Sequence, residues 1–151
     1  MRLSSLADYA VVMMGAAARQ CGHARLHGAD GRPARLSATD LAEQTGIPLP
    51  TAQKLVSLLT RAGLLKSVRG AGGGVTLGRP SAAISLADII EAVEGPIAMT
   101  HCIEDGGRDC AMEGSCTIQP HWPAVNAAVK GALGGITLAS IAVAPPAGEV
   151  A

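Results

Sequence analysis

The chain has 151 residues, of which 12 are basic and 12 acidic, and its formal net charge is zero. This length fits one domain, or one domain with an extension. Phe is absent and Tyr and Trp occur once each, so aliphatic side chains have to form the core, which suits helices. No apolar run reaches the ~20 residues that cross a bilayer. Since the four cysteines match no secreted disulfide scaffold, we expect a cytoplasmic protein without membrane contact.

The charged residues are unevenly distributed along the chain. Residues 44–87 contain five basic residues and no acidic one, whereas residues 88–113 contain seven acidic residues and one base, Arg108. A binding surface depends on the local electrostatic field more than on the total charge. The neutral total therefore leaves room for an anionic partner at the basic segment.

The first predicted helix covers residues 5–20, and Ser5 and Asp8 at its start have the spacing of a capping box. Residues 22–35 are polar and rich in Gly, His and Arg, which predicts a loop. Cys21 lies at this junction, far from the other cysteines. We expect it to be a small buried residue and not a ligand.

Two short helices follow in the pattern of a helix-turn-helix motif. Ser37 and Asp40 again have capping-box spacing, and their helix should end near Gly46. Pro48 and Pro50 open a third helix, because proline is tolerated in the first turn. Its expected buried face comprises Ala52, Leu55, Val56, Leu59 and Ala62. Its other face is polar and basic, which is typical of a helix that enters the major groove of DNA.

A small β-hairpin, here called the wing, is predicted after the third helix. Its strands would be residues 64–69 and 75–79, and the glycines between them allow the positive φ values of a tight turn. The third helix would contact base edges and phosphates, while the wing would contact phosphate or the minor groove. The predicted DNA-binding residues are Thr51, Gln53, Lys54, Ser57, Arg61 and Arg69. The alternatives are an ordinary solvated helix face, or a protein-interaction module of the same fold.

Two further helices are predicted in the C-terminal half. The first begins at Ser85, which forms another capping-box pattern with Asp88, and stops at Gly95. The second begins near Trp122 and carries an apolar stripe of Trp122, Val125, Val129, Ala132, Leu133 and Ile136. Little of the chain remains to cover this stripe, so we expect it to pack on a partner chain. Thr137 would cap a short final helix.

Three cysteines, Cys102, Cys110 and Cys116, are spaced C-x7-C-x5-C in the acidic segment. Thiolates are soft ligands that suit zinc, copper(I) or iron–sulfur clusters. Structural zinc sites usually have four protein ligands, often in close C-x2-C pairs, and this segment lacks both features. The wide spacing favours an iron–sulfur cluster, with zinc binding or a thiol redox switch as alternatives.

Three cysteines leave such a cluster short of one ligand. The candidates are His101, His121, Gln119 and Asp8. Each also has an ordinary explanation, because the histidines could simply face solvent and Gln119 could belong to a helix start. The capping box would account for Asp8.

These motifs resemble a known family. The opening MRLSSLADYAV, the VRGAGGG wing, the SLADIIEAVEG helix and the three-cysteine loop are similar to those of the iron–sulfur-sensing winged-helix regulators of bacteria, the IscR, NsrR, RirA and SUF-regulator type. The resemblance covers residues 1–143. It implies a mainly α fold with a small β-hairpin, formed by a winged helix-turn-helix and a long C-terminal dimerisation helix.

The resemblance also implies a cofactor and partners. Cys102, Cys110 and Cys116 would hold an iron–sulfur cluster, with [2Fe–2S] favoured over [4Fe–4S]. The chain would be a homodimer that binds a double-stranded DNA operator, and Arg69 would be the wing arginine of the family.

The pattern departs from that of IscR-type proteins at the cysteines. Their first cysteine gap is two residues shorter, and they have a histidine ligand where this chain has Gln119. His121 lies two residues further on. NsrR-type proteins instead use an aspartate from helix one of the other subunit, and Asp8 has the matching position.

The predicted organisation is a DNA-binding domain at residues 1–96, a cluster-binding loop at 97–120, a dimerisation region at 121–143 and a disordered tail at 144–151. We interpret the chain as a transcription regulator, a repressor, that senses iron–sulfur, iron or redox status and controls iron–sulfur assembly or iron-homeostasis genes. The alternatives are a thiol-redox or zinc-dependent regulator, or an iron–sulfur carrier of the same fold. No nucleophile–base pair, phosphate loop or paired carboxylates indicate an enzyme.

Overall fold

The computed structural model describes residues 2–27, 35–70, 72–103, 110–112 and 114–143, with the backbone alone for residues 21–27. The helices are α1 (Ser5–His27), α2 (Ala38–Thr45), α3 (Leu49–Arg61), α4 (Leu86–Glu94), α5 (Trp122–Gly134) and α6 (Leu138–Ala142), and the strands are β1 (Leu65–Val68) and β2 (Gly74–Leu77). The predicted fold class, mainly α with a small β-hairpin, is confirmed. The predicted tail lies outside the described residues.

The start and the end of α1 both differ from the prediction. The hydroxyl of Ser4, not Ser5, caps the helix by accepting a hydrogen bond from the N–H of Ala7 (3.1 Å). The predicted capping box of Ser5 and Asp8 is therefore wrong, and Asp8 is exposed. The helix also continues past Gly22 to His27, because one glycine lowers helix stability by only ~1 kcal/mol. The rest of the predicted loop, residues 28–34, lies outside the description.

The helix-turn-helix prediction is confirmed in detail at α2. Ser37 Oγ accepts from the N–H of Asp40 (3.0 Å), while Asp40 Oδ2 accepts from the N–H of Ser37 (2.7 Å). These hydrogen bonds from the Ser37 backbone and side chain stabilise the carboxylate and hold the pKa of Asp40 below its ordinary value. Gly46 ends the helix with φ 73°, a left-handed conformation that favours glycine.

The buried face of α3 is narrower than predicted. Ala52, Leu55 and Leu59 are buried, but Val56 is only half-buried. Ala62 is exposed, because α3 ends at Arg61 and Ala62 serves as its C-cap. The helix thus presents a wider surface to solvent than the sequence pattern indicated.

The two strands of the wing pair with each other, and one of them also pairs with a third backbone segment. β1 and β2 are antiparallel and shorter than predicted, with Leu65 opposite Leu77 at the base of the hairpin. Leu36, just before α2, exchanges two backbone hydrogen bonds with Val75 (3.0 and 2.8 Å). A Cβ at Gly74 would lie only 2.8 Å from the Leu36 carbonyl oxygen, so glycine permits this close approach.

The C-terminal part of the chain returns to the core through α6. Backbone hydrogen bonds join Leu86 to Ile136 (2.8 Å) and Leu138 to Ile84 (2.7 Å). Thr137 caps α6 as predicted, since its Oγ1 accepts from the N–H of Ser140 (3.2 Å). Leu138 is fully buried, so this short helix anchors the segment that follows α5.

One aliphatic core joins α1, α2, α3, the wing, α4 and α6. Its largest fully buried side chains are Met13, Met14, Leu41, Leu55, Leu59, Leu64, Ile84, Ile89 and Leu138. α5 contributes no buried residue, and Val125 and Ile136 of its predicted stripe remain 43% and 40% exposed. Ile136 lies beyond the end of α5, which stops at Gly134. None of the described helices is long and apolar enough to cross a bilayer.

We expect Gly78→Ala to destabilise the wing. A Cβ at Gly78 would overlap the carbonyl oxygen of Gly63, and backbone cannot rotate away as a side chain could. The expected loss is roughly 1–3 kcal/mol of unfolding free energy, measured by urea denaturation. Gly131→Ala is the control, because its Cβ would meet nothing within 4 Å and should be neutral or stabilise α5 by up to ~1 kcal/mol. Equal urea midpoints for the two variants would contradict this packing.

Candidate DNA interface and cysteine site

The outer face of α3 is formed by the residues that the sequence predicted to bind DNA. Gln53, Lys54, Ser57 and Arg61 are exposed, and Thr51 in the first turn is half-buried. This face is polar because the buried residues of α3 recur at helical spacing on the opposite side. The capping box of α2 and the proline-containing first turn of α3 fix the local geometry of the motif.

The wing adds cations next to α3. Arg69 is exposed just after β1, and it lines an open cleft of about 510 Å³ together with Lys66 and Thr60, among others. Lys66 was not among the predicted DNA contacts, although it is a base at an exposed position of the strand. Arg35 was also missed, and its Nη1 donates a hydrogen bond to the carbonyl of Gly72 in the wing turn (3.2 Å).

Ion pairs distinguish this basic surface from the region around α4. Arg79 lies 3.7 Å from Asp88, and Lys130 lies 2.7 Å from Glu91. By contrast, the bases of α3 and β1 form no ion pair with any residue that the structure describes. Their charges therefore remain available to an anionic partner, in agreement with the uneven charge distribution of the sequence.

The three cysteines of the acidic segment are free thiols in different environments. Cys102 and Cys116 are half-buried, while Cys110 is exposed. The Cys102 Sγ lies 3.2 Å from the Thr100 hydroxyl oxygen, within hydrogen-bonding reach. Among the described parts of the chain, no three Cys, His, Asp or Glu side chains lie close enough together to hold a metal ion.

The fourth-ligand candidates lie on separate elements. Asp8 is exposed on α1. Because Ser4 caps the helix, the Asp8 carboxylate is not used in a capping box, and it makes no hydrogen bond to a described residue. His121 and Gln119 are exposed in a 3-10 turn that precedes α5, and His101 is exposed next to Cys102. The side chain of Cys21 lies outside the description.

The donor set fits an iron–sulfur cluster in chemistry, although the side chains that the structure describes do not form a preassembled site. Three thiols within one short segment are the ligand type that such clusters require. The described residues of a single chain do not bring three donors together. Ligation would therefore need the three thiols to approach one another, with a further donor from outside the described residues or from a second chain.

The backbone that leads to the cysteines is fastened to two helices. Residues 97–99, here called the strap, connect α4 to Cys102. Asn126 of α5 accepts a hydrogen bond from the N–H of Met99 (3.0 Å) and donates one to the carbonyl of Ile97 (2.9 Å). Glu91 of α4 accepts from the N–H of Ile97 (3.1 Å). The sequence pattern singled out neither residue, since only the folded chain shows what they bind.

The charge state of Glu91 reflects these contacts. Partial burial raises its pKa, but the hydrogen bonds from Lys130 and from the Ile97 N–H outweigh burial. The pKa of Glu91 is therefore lowered, so the side chain remains an ionised acceptor for the strap.

The fold and this exposed basic surface define a winged helix-turn-helix transcription regulator. The chain matches, over residues 3–144, the Rrf2 family model, described as an iron-dependent transcriptional regulator. It is 36% identical over 141 residues to the HTH-type transcriptional regulator IscR of Yersinia pseudotuberculosis, covering 93% of this chain and 79% of that protein. The chain therefore belongs to the Rrf2 family, as the sequence resemblance predicted.

Solved structures agree with this assignment. CymR, the global cysteine regulator of B. subtilis, superposes with a TM-score of 0.68 and 30% identity, covering 94% of this chain and 96% of CymR. IscR of T. potens superposes with a TM-score of 0.66 and 28% identity, covering 93% and 85% of the two chains. These relatives are described as regulators, IscR as an HTH-type transcriptional regulator and CymR as a global cysteine regulator.

We expect Cys110 to react first with a soluble thiol reagent, because it alone of the three described cysteines is exposed. Under native, reducing, cluster-free conditions, iodoacetamide should modify Cys110 on the order of threefold faster than Cys102 or Cys116. Peptide mass spectrometry would follow each site. The three rates should converge in urea, and faster native modification of Cys102 would contradict the described environments.

Proposed function

We propose that this Rrf2 regulator binds a DNA operator under the control of an iron–sulfur cluster held by Cys102, Cys110 and Cys116. The observation that carries the proposal is the placement of three free thiols in one segment, directly after a strap that is fastened to both α4 and α5. The family description as an iron-dependent regulator supports it. We expect the protein to act as a repressor in the cytoplasm, where bacterial DNA lies.

In this proposal α3 and the wing contact the operator. Gln53, Lys54 and Ser57 would meet base edges in the major groove, because they are exposed on the outer face of α3. Thr51 and Arg61, near the two ends of the helix, would contact phosphates. Phosphate contacts would set the position of the protein on DNA, and base contacts would provide sequence specificity.

Arg69 and the missed bases Lys66 and Arg35 would extend the contact through the wing. Arg69 and Lys66 line one open cleft, so they can approach the same stretch of DNA backbone. Arg35 reaches the wing turn through its hydrogen bond to Gly72. Because these are long cationic side chains, their contribution should depend strongly on salt.

The second partner in the proposal is another copy of the chain. α5 contributes nothing to the core, and its stripe stays half-buried or exposed. A cleft of about 500 Å³ beside it has apolar side chains in its lining, including Leu3, Val129 and Leu133. A homodimer would cover this apolar surface and place two α3 helices on one operator, as two-fold DNA sites require.

The cluster would need a fourth ligand as well as the three thiolates. Asp8 of a second copy is favoured, because its carboxylate is exposed and not engaged in the predicted capping box. His121, exposed in the turn before α5, is the alternative. When bound, a [2Fe–2S] cluster would supply a labile, redox-active centre. The protein's own contribution is to keep Cys102 and Cys116 half-buried.

A thiol redox switch on the same cysteines is the second candidate function. The thiols are free, and the described residues do not form a preassembled metal site. The similarity to CymR, the global cysteine regulator of B. subtilis, favours sulfur chemistry of this kind. A peroxide, as a two-electron oxidant, would convert one thiol to a sulfenic acid with release of water or alcohol, and a second thiol would then form a disulfide with loss of water. A dithiol reductant would reverse either change and itself become a disulfide.

Anaerobic purification with iron, sulfide and zinc analysis tests the cluster. We expect iron and sulfide in the native protein and loss of both in Cys102→Ser, Cys110→Ser and Cys116→Ser, because each removes a thiolate ligand. Cys21→Ser is the matched control and should retain full loading. Asp8→Ala and His121→Ala would identify the fourth ligand.

The same experiment separates the alternatives. Zinc without sulfide would replace the cluster with a zinc site. Absence of metal after anaerobic reconstitution, together with DNA affinity that a dithiol reagent restores, would establish the thiol switch.

Operator binding tests the DNA surface separately. Lys54→Ala and Arg69→Ala should each raise the Kd about tenfold at ~0.15 M salt and reduce the slope of log K against log salt by about one. Fluorescence titration of duplex DNA from upstream of the protein's own gene would measure both. Arg19→Ala removes the same charge from α1, beside α6, and should leave the Kd unchanged. An equal effect of all three variants would show a nonspecific charge effect only.

A further inference from the structure

Asn126 is a polar side chain of α5 that pairs with the backbone of another segment. Its Oδ1 accepts from the N–H of Met99 (3.0 Å), and its Nδ2 donates to the carbonyl of Ile97 (2.9 Å). One donor and one acceptor of the amide thus pair with the strap much as a neighbouring β-strand would. Asparagine is a poorer helix former than the alanines around it, so helix formation does not explain this residue.

A second anchor holds the strap from α4. Glu91 Oε1 accepts from the N–H of Ile97 (3.1 Å) and from Lys130 Nζ (2.7 Å). Both backbone polar groups of Ile97 are therefore bound by side chains from two different helices. The chain then continues to Thr100, whose hydroxyl oxygen lies 3.2 Å from the Cys102 Sγ.

The connection from the strap to the first cysteine is short. Cys102 is three residues beyond Met99, which spans at most ~11 Å of extended chain. A large displacement of Cys102 must therefore pull on the hydrogen bond between Met99 and Asn126. Because Asn126 lies on α5, that displacement acts on the helix whose apolar stripe is only partly covered.

We propose that Asn126 is a positioning residue that ties Cys102 to α5, so that the state of the cysteine site reaches the partly covered helix through the strap. This inference rests on the proposed function, because it assumes that the cysteines signal to the DNA-binding surface. A merely structural role would lower stability and leave the signal intact. A positioning role abolishes the signal while the fold and the cysteine site remain.

Amide hydrogen exchange tests the anchor without a cluster. In the cluster-free full chain, Asn126→Ala should speed exchange of the Met99 amide about fivefold or more, the change expected for loss of one hydrogen bond. Asn126→Leu removes the same two bonds and keeps the branched shape and the number of side-chain heavy atoms, so agreement between the smaller and the larger variant excludes an effect of side-chain size. Ala127→Gly, an exposed position of α5, weakens the helix without removing the anchor and should leave that amide unchanged.

The signal is measured as the ratio of operator Kd values between cluster-loaded and cluster-free protein. The native chain and Ala127→Gly should show the same ratio. In Asn126→Ala and Asn126→Leu the ratio should fall towards one while iron and sulfide stay bound. For a thiol switch, the same ratio compares oxidised with reduced protein.

The two measurements test the anchor, its role in signalling and the proposed function separately. Unchanged exchange at Met99 would overturn the anchor, and faster exchange with an unchanged Kd ratio would overturn its role in signalling. A native chain that takes up neither iron nor sulfide and shows no thiol response would overturn the proposed function. In that case the signalling role also fails, while the exchange data still decide whether Asn126 holds the strap.

Discussion

The attachment of α5 is the constraint on which the C-terminal half of this protein depends. α5 carries no buried residue, and polar side chains join it to the chain before the cysteines. These hydrogen bonds are partly buried, and they require matched geometry on both sides because a hydrogen bond weakens steeply as its angle departs from linear. Contacts between aliphatic side chains are not directional, so they tolerate small shifts of a helix more readily than these hydrogen bonds do. Because directional bonds join α5 to the strap, the helix can respond to movement there.

The other half of the molecule follows a different physical rule. The aliphatic core and the Leu36–Val75 pairing fasten α2, α3 and the wing to one another. This frame leaves the bases of α3 and β1 on the surface without described acidic partners, while Arg79 and Lys130 near α4 are paired. Rigid presentation of uncompensated charge suits DNA binding in a chain whose net charge is zero.

In the sequence the cysteine segment follows the DNA-binding half and precedes α5, and it is rich in acidic residues. Three free thiols are present, and the described residues of one chain do not close a metal site around them. Both an iron–sulfur cluster and a thiol switch use this arrangement, since each requires thiols that can change partner. In our proposal the strap would transmit either chemistry to the rest of the chain in the same way, because each would act on the position of Cys102.

Short-range patterns in the sequence determined the helix starts at Ser37 and Ser85, since a capping box involves residues only three apart. The same spacing at Ser5 was misleading, because Ser4 offers an equivalent hydroxyl one residue earlier. The exposed face of α3, the cysteine triplet and the family were also evident from local pattern. Only the tertiary structure decided the contacts between distant segments, such as Leu36 with Val75 and Asn126 with the strap. Such pairs are far apart in the chain, and no local spacing records which segments folding brings together.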